Sequence, residues 1–424
     1  MLRKLEILLL YILLGFLSSH YLLFNIIFTK PDMLKYWKDI IIFVLFIIVI
    51  MIHNKNILKI KLYFSDLLII FFTIFLCFYV LIAPNKVVAA YALRVYVEPF
   101  IIYFVAKNSF FNTKQIKSMT RIVFASAVIT SIYGIYQALV LGPSFLMKIG
   151  YPVRSNGRLD TSFYLSGFSN FQRVASTFAS PNLFAFFASI VLIIVFIYRN
   201  AFRSKLRYQI GISIICIAIL LTFSRSSILA LVIAFIFISI QMKAKYTKQL
   251  IGILIALVIG TSIISDFTDI GLSAKLAKYI ENTITLNDTS AVSHISSYYE
   301  SFEIAKNNLL GTGLGRNGPK ASQYFYDPIL TESSYFLILF DTGVLGFLIY
   351  FGIYLGIYIK QGKLAKSTEN LLIKDISLIS RSLIVFMAFS FIFLPYVQDT
   401  VLMIYLLFFV GLGENRYIKE DFNM

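Results

Sequence analysis

Long apolar runs recur along this chain, and most approach the roughly 20 residues that a helix needs to cross about 30 Å of hydrocarbon. Twelve can be marked: 7–28, 39–53, 63–83, 87–106, 119–140, 182–198, 208–223, 227–241, 249–265, 334–359, 376–395 and 399–413. Several are short or hold polar residues, so any one of those is compatible with a re-entrant segment. Composition agrees, since 59% of the 424 residues are hydrophobic and only 14% are charged, against about half and a quarter in soluble proteins. So little charge cannot keep a soluble chain of this size dissolved. The expected fold is an all-α integral membrane protein of about twelve transmembrane helices, one polytopic domain over 1–424. A cytosolic enzyme, a nucleic-acid binder and a disordered scaffold are excluded. The first run does not read as a cleaved signal peptide, because its apolar part is too long and no small-residue cleavage site follows. Cys77 and Cys216 each lie inside an apolar stretch, which leaves no disulfide framework or cysteine metal site and suggests packing.

The net charge of +17 serves topology here rather than a nucleic-acid partner. With Met1 cytoplasmic, the inside segments hold Arg3 and Lys4; Lys55, Lys59 and Lys61; Lys107, Lys114 and Lys117; Arg199, Arg203, Lys205 and Arg207; Lys243, Lys245 and Lys248; Lys360, Lys363, Lys366 and Lys374; and Arg416 and Lys419 in a tail at 414–424. The exception is the first outside loop, which carries Lys30, Lys35 and Lys38. An even number of spans with both termini cytoplasmic follows.

Two outside segments, 142–181 and 266–333, are too long to be simple connections, and such loops usually carry function. The first, a long extracytoplasmic loop, sets Arg154, Arg158 and Arg173 among Phe163, Tyr164, Phe168 and Phe171. The second repeats Ile295, Tyr298, Tyr299, Phe302, Ala305 and Leu309 at helical spacing. That pattern suits either a helix lying on the outer membrane surface or a cap packed on the bundle. Gly313-Leu-Gly315-Arg-Asn-Gly318 spells a dinucleotide fingerprint, but no strand precedes it and no βαβ unit can be drawn, so that site is rejected. The glycines can instead turn backbone N–H groups toward an anion, with Arg316 beside them, or form a flexible turn.

Four local patterns stand in order around these loops: Arg173-Val-Ala-Ser-Thr-Phe-Ala-Ser-Pro181-Asn182, Leu221-Thr-Phe-Ser-Arg225-Ser-Ser, Leu310-Gly-Thr-Gly-Leu-Gly315, and Glu332-Ser-Ser-Tyr335 running to Asp-Thr342-Gly343-Val-Leu-Gly346. In these residues the sequence resembles the O-antigen polymerase and ligase superfamily of bacterial envelope glycosyltransferases, over about 120 to 360. The resemblance implies an enzyme of the bacterial cytoplasmic membrane that handles oligosaccharides linked to undecaprenyl diphosphate, without metal, nucleotide sugar or other cofactor. The lipid bilayer and the lipid-linked glycan are the implied partners, with a chain-length regulator as a further one. Two departures stand out. Ligases of the superfamily usually place a His-Asn pair before Tyr-Leu, whereas this chain has Glu332-Ser333 before Tyr335-Phe336. His294 occupies a position often Arg in relatives. Both look more like a polymerase.

Transfer from a lipid diphosphate asks for fixed cations on the diphosphate and a base on the acceptor hydroxyl. Arg225, at the outer mouth of a span, can snorkel to an interfacial phosphate and grip it bidentately; its plain alternative is a lipid-headgroup anchor. Arg173 precedes a helix start, where a loop ion pair is the alternative. Glu332 is the candidate base, against a helix-start carboxylate with Thr331 or Ser333 as cap. Arg154, Arg158, His294, Gly313, Gly315, Arg316 and Tyr335 complete the expected substrate contacts. Arg94 and Glu98, at i and i+4 inside a span, read as mutual neutralisation, while His20 reads as a core residue and His53 as a surface one. A polymerase is the leading reading and a ligase to lipid A core or another acceptor the second. A flippase or transporter ranks below them, since no internal repeat or broken-helix pattern is seen.

Overall fold

Apolar periodicity and capping residues set the helices. The computed structural model describes residues 1–28, 32–53, 62–155, 157–165, 168–242, 289–325 and 327–418, so the expected span 249–265 and residues 266–288 of the second loop lie outside the described residues. In chain order the helices are α1 (Leu2–Phe16), α2 (Trp37–Ile52), α3 (Phe64–Ile82), α4 (Lys86–Asn108), α5 (Thr113–Tyr136), α6 (Gly142–Ile149), α7 (Pro181–Ile197), α8 (Lys205–Leu221), α9 (Arg225–Gln241), α10 (Thr289–Asn307), α11 (Ser334–Ser367), α12 (Leu371–Phe393) and α13 (Thr400–Gly413). Side chains cap many of them at the N-terminus. Asn85 accepts from Val88 N, Asn112 and Gln115 form a reciprocal capping box, and Asp399 accepts from Leu402 N. A short antiparallel hairpin, β1 (Tyr164–Leu165) with β2 (Phe168–Gln172), is the strand content among the described residues.

Among the described residues, five helical stretches are long and apolar enough to cross a membrane, and a sixth qualifies if α1 and its continuation, bent by 62°, form one span. The helices α7, α9 and α13 are apolar but shorter. Nearly every residue of α7 and all of α13 are buried, as expected of helices that are hydrophobic all round. These two are the centre of the bundle. α13 lies along α4, and α7 packs on α5, α8, α9 and α12. Outward faces of α3, α5 and α11 expose Phe71, Ile74, Ile129, Leu345 and Leu348, which suits lipid. Arg3 and Tyr417 both stack on Phe110, at 4.4 and 4.5 Å, so the two ends of the described chain share one face of the bundle, the near face. The hairpin, the α8–α9 corner and the segment before α11 lie at the far face.

Lys38 is not a loop lysine. It is 2% exposed within α2 and gives Nζ to both Glu98 oxygens at 2.8 and 3.0 Å. Arg94 Nε meets Asp39 Oδ1 at 2.6 Å and Glu98 Oε2 at 3.7 Å. Arg94 and Glu98 thus neutralise partners on α2 more closely than each other, and two cations balance two carboxylates between α2 and α4. His53 is likewise buried rather than on the surface, sandwiched by Phe110 and Tyr417. Cys77 is exposed on α3, and Cys216 is buried.

Two glycine motifs that are far apart in sequence interlock. α11 breaks at Gly343, whose φ is +68°, and the break lets Val344 N reach Leu309 O at 2.9 Å. A Cβ on Gly343 meets Leu309 O at 2.5 Å, and one on Gly311 meets Phe340 O at 2.7 Å. Only hydrogen fits at either crossing, and the left-handed φ adds to the penalty for any side chain.

Candidate functional site

The far face is organised by the corner Leu221–Arg225 between α8 and α9. Phe223 is held at φ +50° and Ser176, opposite, at +55°, an uncommon conformation for side chains other than Asn, Asp or Gly. Ser176 is fixed by Gln137 and Thr130, and the corner is held by a strap from the hairpin. Val174 N donates to Leu221 O at 3.0 Å. Arg173 donates Nε to Thr222 O at 2.6 Å, Nη1 to Ser162 O at 2.9 Å and Nη2 to Asn182 Oδ1 at 2.8 Å. Three of its five N–H donors therefore tie the first long loop to α7 and to the corner.

Arg225 is the first residue of α9 and is half-buried. The N-cap, Ser224, makes no cap hydrogen bond, because its Oγ donates instead to Ser227 Oγ at 3.0 Å. First-turn N–H groups without a side-chain cap, together with the positive end of the helix dipole, favour an anion. Ser227 Oγ also lies 3.1 Å from the hydroxyl of Tyr396, in the turn Tyr396–Gln398 between α12 and α13. Burial pushes the Tyr396 hydroxyl up to about 12, against the opposing pull of its serine hydrogen bonds and Arg173.

The same turn leads to Glu332. Ser334 Oγ donates to Leu394 O at 2.7 Å and accepts from Val397 N at 3.3 Å, and Ser333 Oγ donates to Phe391 O at 3.0 Å. Glu332, half-buried, directly precedes these two serines. Ser333 caps α11 by accepting from Tyr335 N at 3.2 Å, so the helix does not need the carboxylate for that purpose. From above, α10 docks through Tyr298, whose hydroxyl donates to Ile392 O, and through Ser301, 3.2 Å from Thr331 Oγ1. Burial pushes the Tyr298 hydroxyl up to about 12, with the charge of Glu332 adding to the rise. α10 is thus a cap on the bundle along one side, while Tyr299 and Phe302 stay exposed on another.

The remaining expected contacts lie elsewhere. Arg154 pairs with Asp160 at 2.8 Å in the exposed tip closed by the Val153–Leu159 bridge, and Arg158 is exposed in the same tip. Burial raises the Asp160 carboxyl, but hydrogen bonds from Ser162 and Arg154 outweigh it and hold the group below its usual range. The glycine run packs against the break in α11. Thr312 N and Gly313 N donate to Phe340 O, and Gly315 N donates to Asp341 Oδ1 at 3.2 Å. The N–H groups of Gly313 and Gly315 are thus engaged within the protein, while the space beside Gly313 is open. Arg316 beside them is exposed. The Tyr335 hydroxyl donates to Ala388 O at 2.7 Å and its ring packs on Phe347 and Phe391, joining α11 to α12. The side chain of His294 lies outside the described residues.

Two residues escaped sequence reasoning. Asp341, 1% exposed, takes Asn317 Nδ2 at 2.8 Å, Tyr96 OH at 2.9 Å and Gly315 N, and so anchors the loop before α11. Its signal was a carboxylate inside an apolar span, which needs partners to be tolerated. Tyr396 lies in Pro395-Tyr-Val-Gln between two apolar runs, a polar break too short to stand out.

No curated protein sequence matches the chain. Residues 210–351 match a family model described as O-antigen ligase, which covers α8, α9, α10, the glycine run and the first half of α11. Arg225, Glu332 and Asp341 fall inside this match and Arg173 outside it. The match supports the O-antigen polymerase and ligase superfamily, the one that the four sequence motifs resemble.

Proposed function

We propose that the protein is a polysaccharide polymerase of the bacterial cytoplasmic membrane. It moves a growing glycan from undecaprenyl diphosphate to the next lipid-linked repeat unit. The acceptor hydroxyl attacks the anomeric carbon of the donor, a new glycosidic bond forms, and the bond to the diphosphate oxygen breaks. Glu332 takes the hydroxyl proton, and undecaprenyl diphosphate leaves with the bonding electrons. Arg225 and the first turn of α9 face the diphosphate, and Arg173 fixes the corner that carries them. The single observation that carries this reading is that α9 begins with an arginine in a turn that has no side-chain cap, an arrangement that favours a bound anion. No step is assigned to a metal or nucleotide. The ligase description of the matched family favours ligation as the second reading. Purified protein given a synthetic lipid-linked repeat unit, with no other acceptor, is expected to build a ladder of many repeats. Transfer of a preformed glycan to lipid A core, with no ladder, overturns polymerisation in favour of ligation.

In this reading the chain crosses the membrane about twelve times, with 142–181 and 266–333 outside and both ends in the cytoplasm. The meeting of Arg3 and Tyr417 on one face supports an even number of crossings. A cysteine placed at 160 or 290 is expected to react with an impermeant maleimide in spheroplasts. Protection of either from the reagent rejects the assignment.

A further inference from the structure

At the near face, opposite the corner of Arg225, a groove of about 490 Å³ runs between α3 and α11, lined by Tyr63, Phe64, Gly352, Leu355, Gly356 and Lys360 among others. That volume is within the range of small-molecule sites. The groove exists because Gly352 and Gly356, one helical turn apart, offer no side chains to the start of α3: a Cβ on Gly356 lies 3.7 Å from Ser65 Cβ and 3.9 Å from Phe64 Cδ1. Its walls are outward-facing and apolar, with Phe64 69% and Leu355 45% exposed. Its mouth is polar and cationic. Lys360 Nζ sits 2.7 Å from the Tyr63 ring centroid and pairs with buried Glu414, while the Arg416 guanidinium lies 4.1 Å from the same centroid. Lys107 pairs with Asp66 beneath. Four cations, with Lys363 exposed, thus stand against the two carboxylates Asp66 and Glu414. The Tyr63 hydroxyl is buried and has no hydrogen-bond partner among the described residues.

We infer that this groove binds one anionic phospholipid, an acyl chain lying over Gly352 and Gly356 and the phosphate at the cationic mouth beside Lys363. An apolar trough that ends in excess positive charge matches an amphiphile with a negative head, and basic pockets between spans bind anionic headgroups in this way. The site is independent of the glycan chemistry proposed for the far face. It implies that the protein holds a structural lipid against α3 and α11 where both meet the chain's C-terminal residues.

The test is native mass spectrometry of the full-length protein in detergent, with dioleoylphosphatidylglycerol or dioleoylphosphatidylcholine added at equal concentration. Wild-type protein is expected to retain the glycerol lipid about fivefold better, the factor expected for roughly 1 kcal/mol from one basic residue at a lipid headgroup. Lys363→Gln, which leaves both buried ion pairs in place, is expected to remove that preference. Gly356→Leu, which fills the trough, is expected to remove retention of both lipids. Equal retention by the wild type, or an unchanged preference in Lys363→Gln, overturns the inference. So does a wild-type dimer that Gly356→Leu separates, because the groove is then occupied by a second copy of the chain.

Discussion

Glu332→Gln is expected to stop glycan extension at a single repeat unit while the protein accumulates normally in the membrane. Glutamine keeps the size and hydrogen-bonding capacity of the side chain and loses the ability to accept the acceptor's proton. A positioned general base contributes about 10² to 10⁴-fold, so the loss shows plainly as a truncated ladder. A purely structural role predicts a different result. Because Ser333 already caps α11, a helix-start carboxylate at 332 contributes at most about 0.3 to 1 kcal/mol through the dipole and leaves turnover alone. Purified enzyme with a synthetic lipid-linked repeat unit separates the two. Retention of more than about a tenth of wild-type turnover, less than the smallest loss expected on removing a base, moves Glu332 to a structural role.

The helices were legible in the sequence because burial and lipid contact leave the same mark, an apolar run, at nearly the right length. What the runs could not carry was pairing. Lys38 stood out as a violation of charge bias because a lysine near a span end looks like a loop lysine, and its partner Glu98 is sixty residues away. The two glycine motifs were visible, but not that Gly311 faces Gly343. That crossing explains both by close backbone approach. Tyr335 lies in a motif beside the candidate base, yet its hydroxyl goes to a backbone carbonyl of α12, since a membrane-buried hydroxyl must find an acceptor wherever one is near. Arg173 was legible as a fixed cation but not as a strap, because the carbonyls of Ser162 and Thr222 that it holds have no sequence signature.

Arg225 opens α9, and substitution there tests the proposed diphosphate contact. Lysine keeps the charge but loses the planar fork that grips a phosphate with two donors. Removing one preorganised donor from a developing anion costs about 10² to 10³-fold in turnover, so Arg225→Lys is expected to yield single repeat units in place of long polymer. Arg225→Gln is expected to be as inactive, since it removes the charge together with the fork. Arg173→Lys provides the contrast. It breaks up to three hydrogen bonds that hold the hairpin, α7 and the corner together, each contributing about 1 kcal/mol, so it is expected to lower the melting temperature along with activity. Arg225→Lys protein that makes polymer of wild-type length, measured beside an inactive Glu332→Gln control, shows that the diphosphate is held elsewhere. A fall in stability for Arg225→Gln as large as that for Arg173→Lys makes Arg225 a structural residue of the corner.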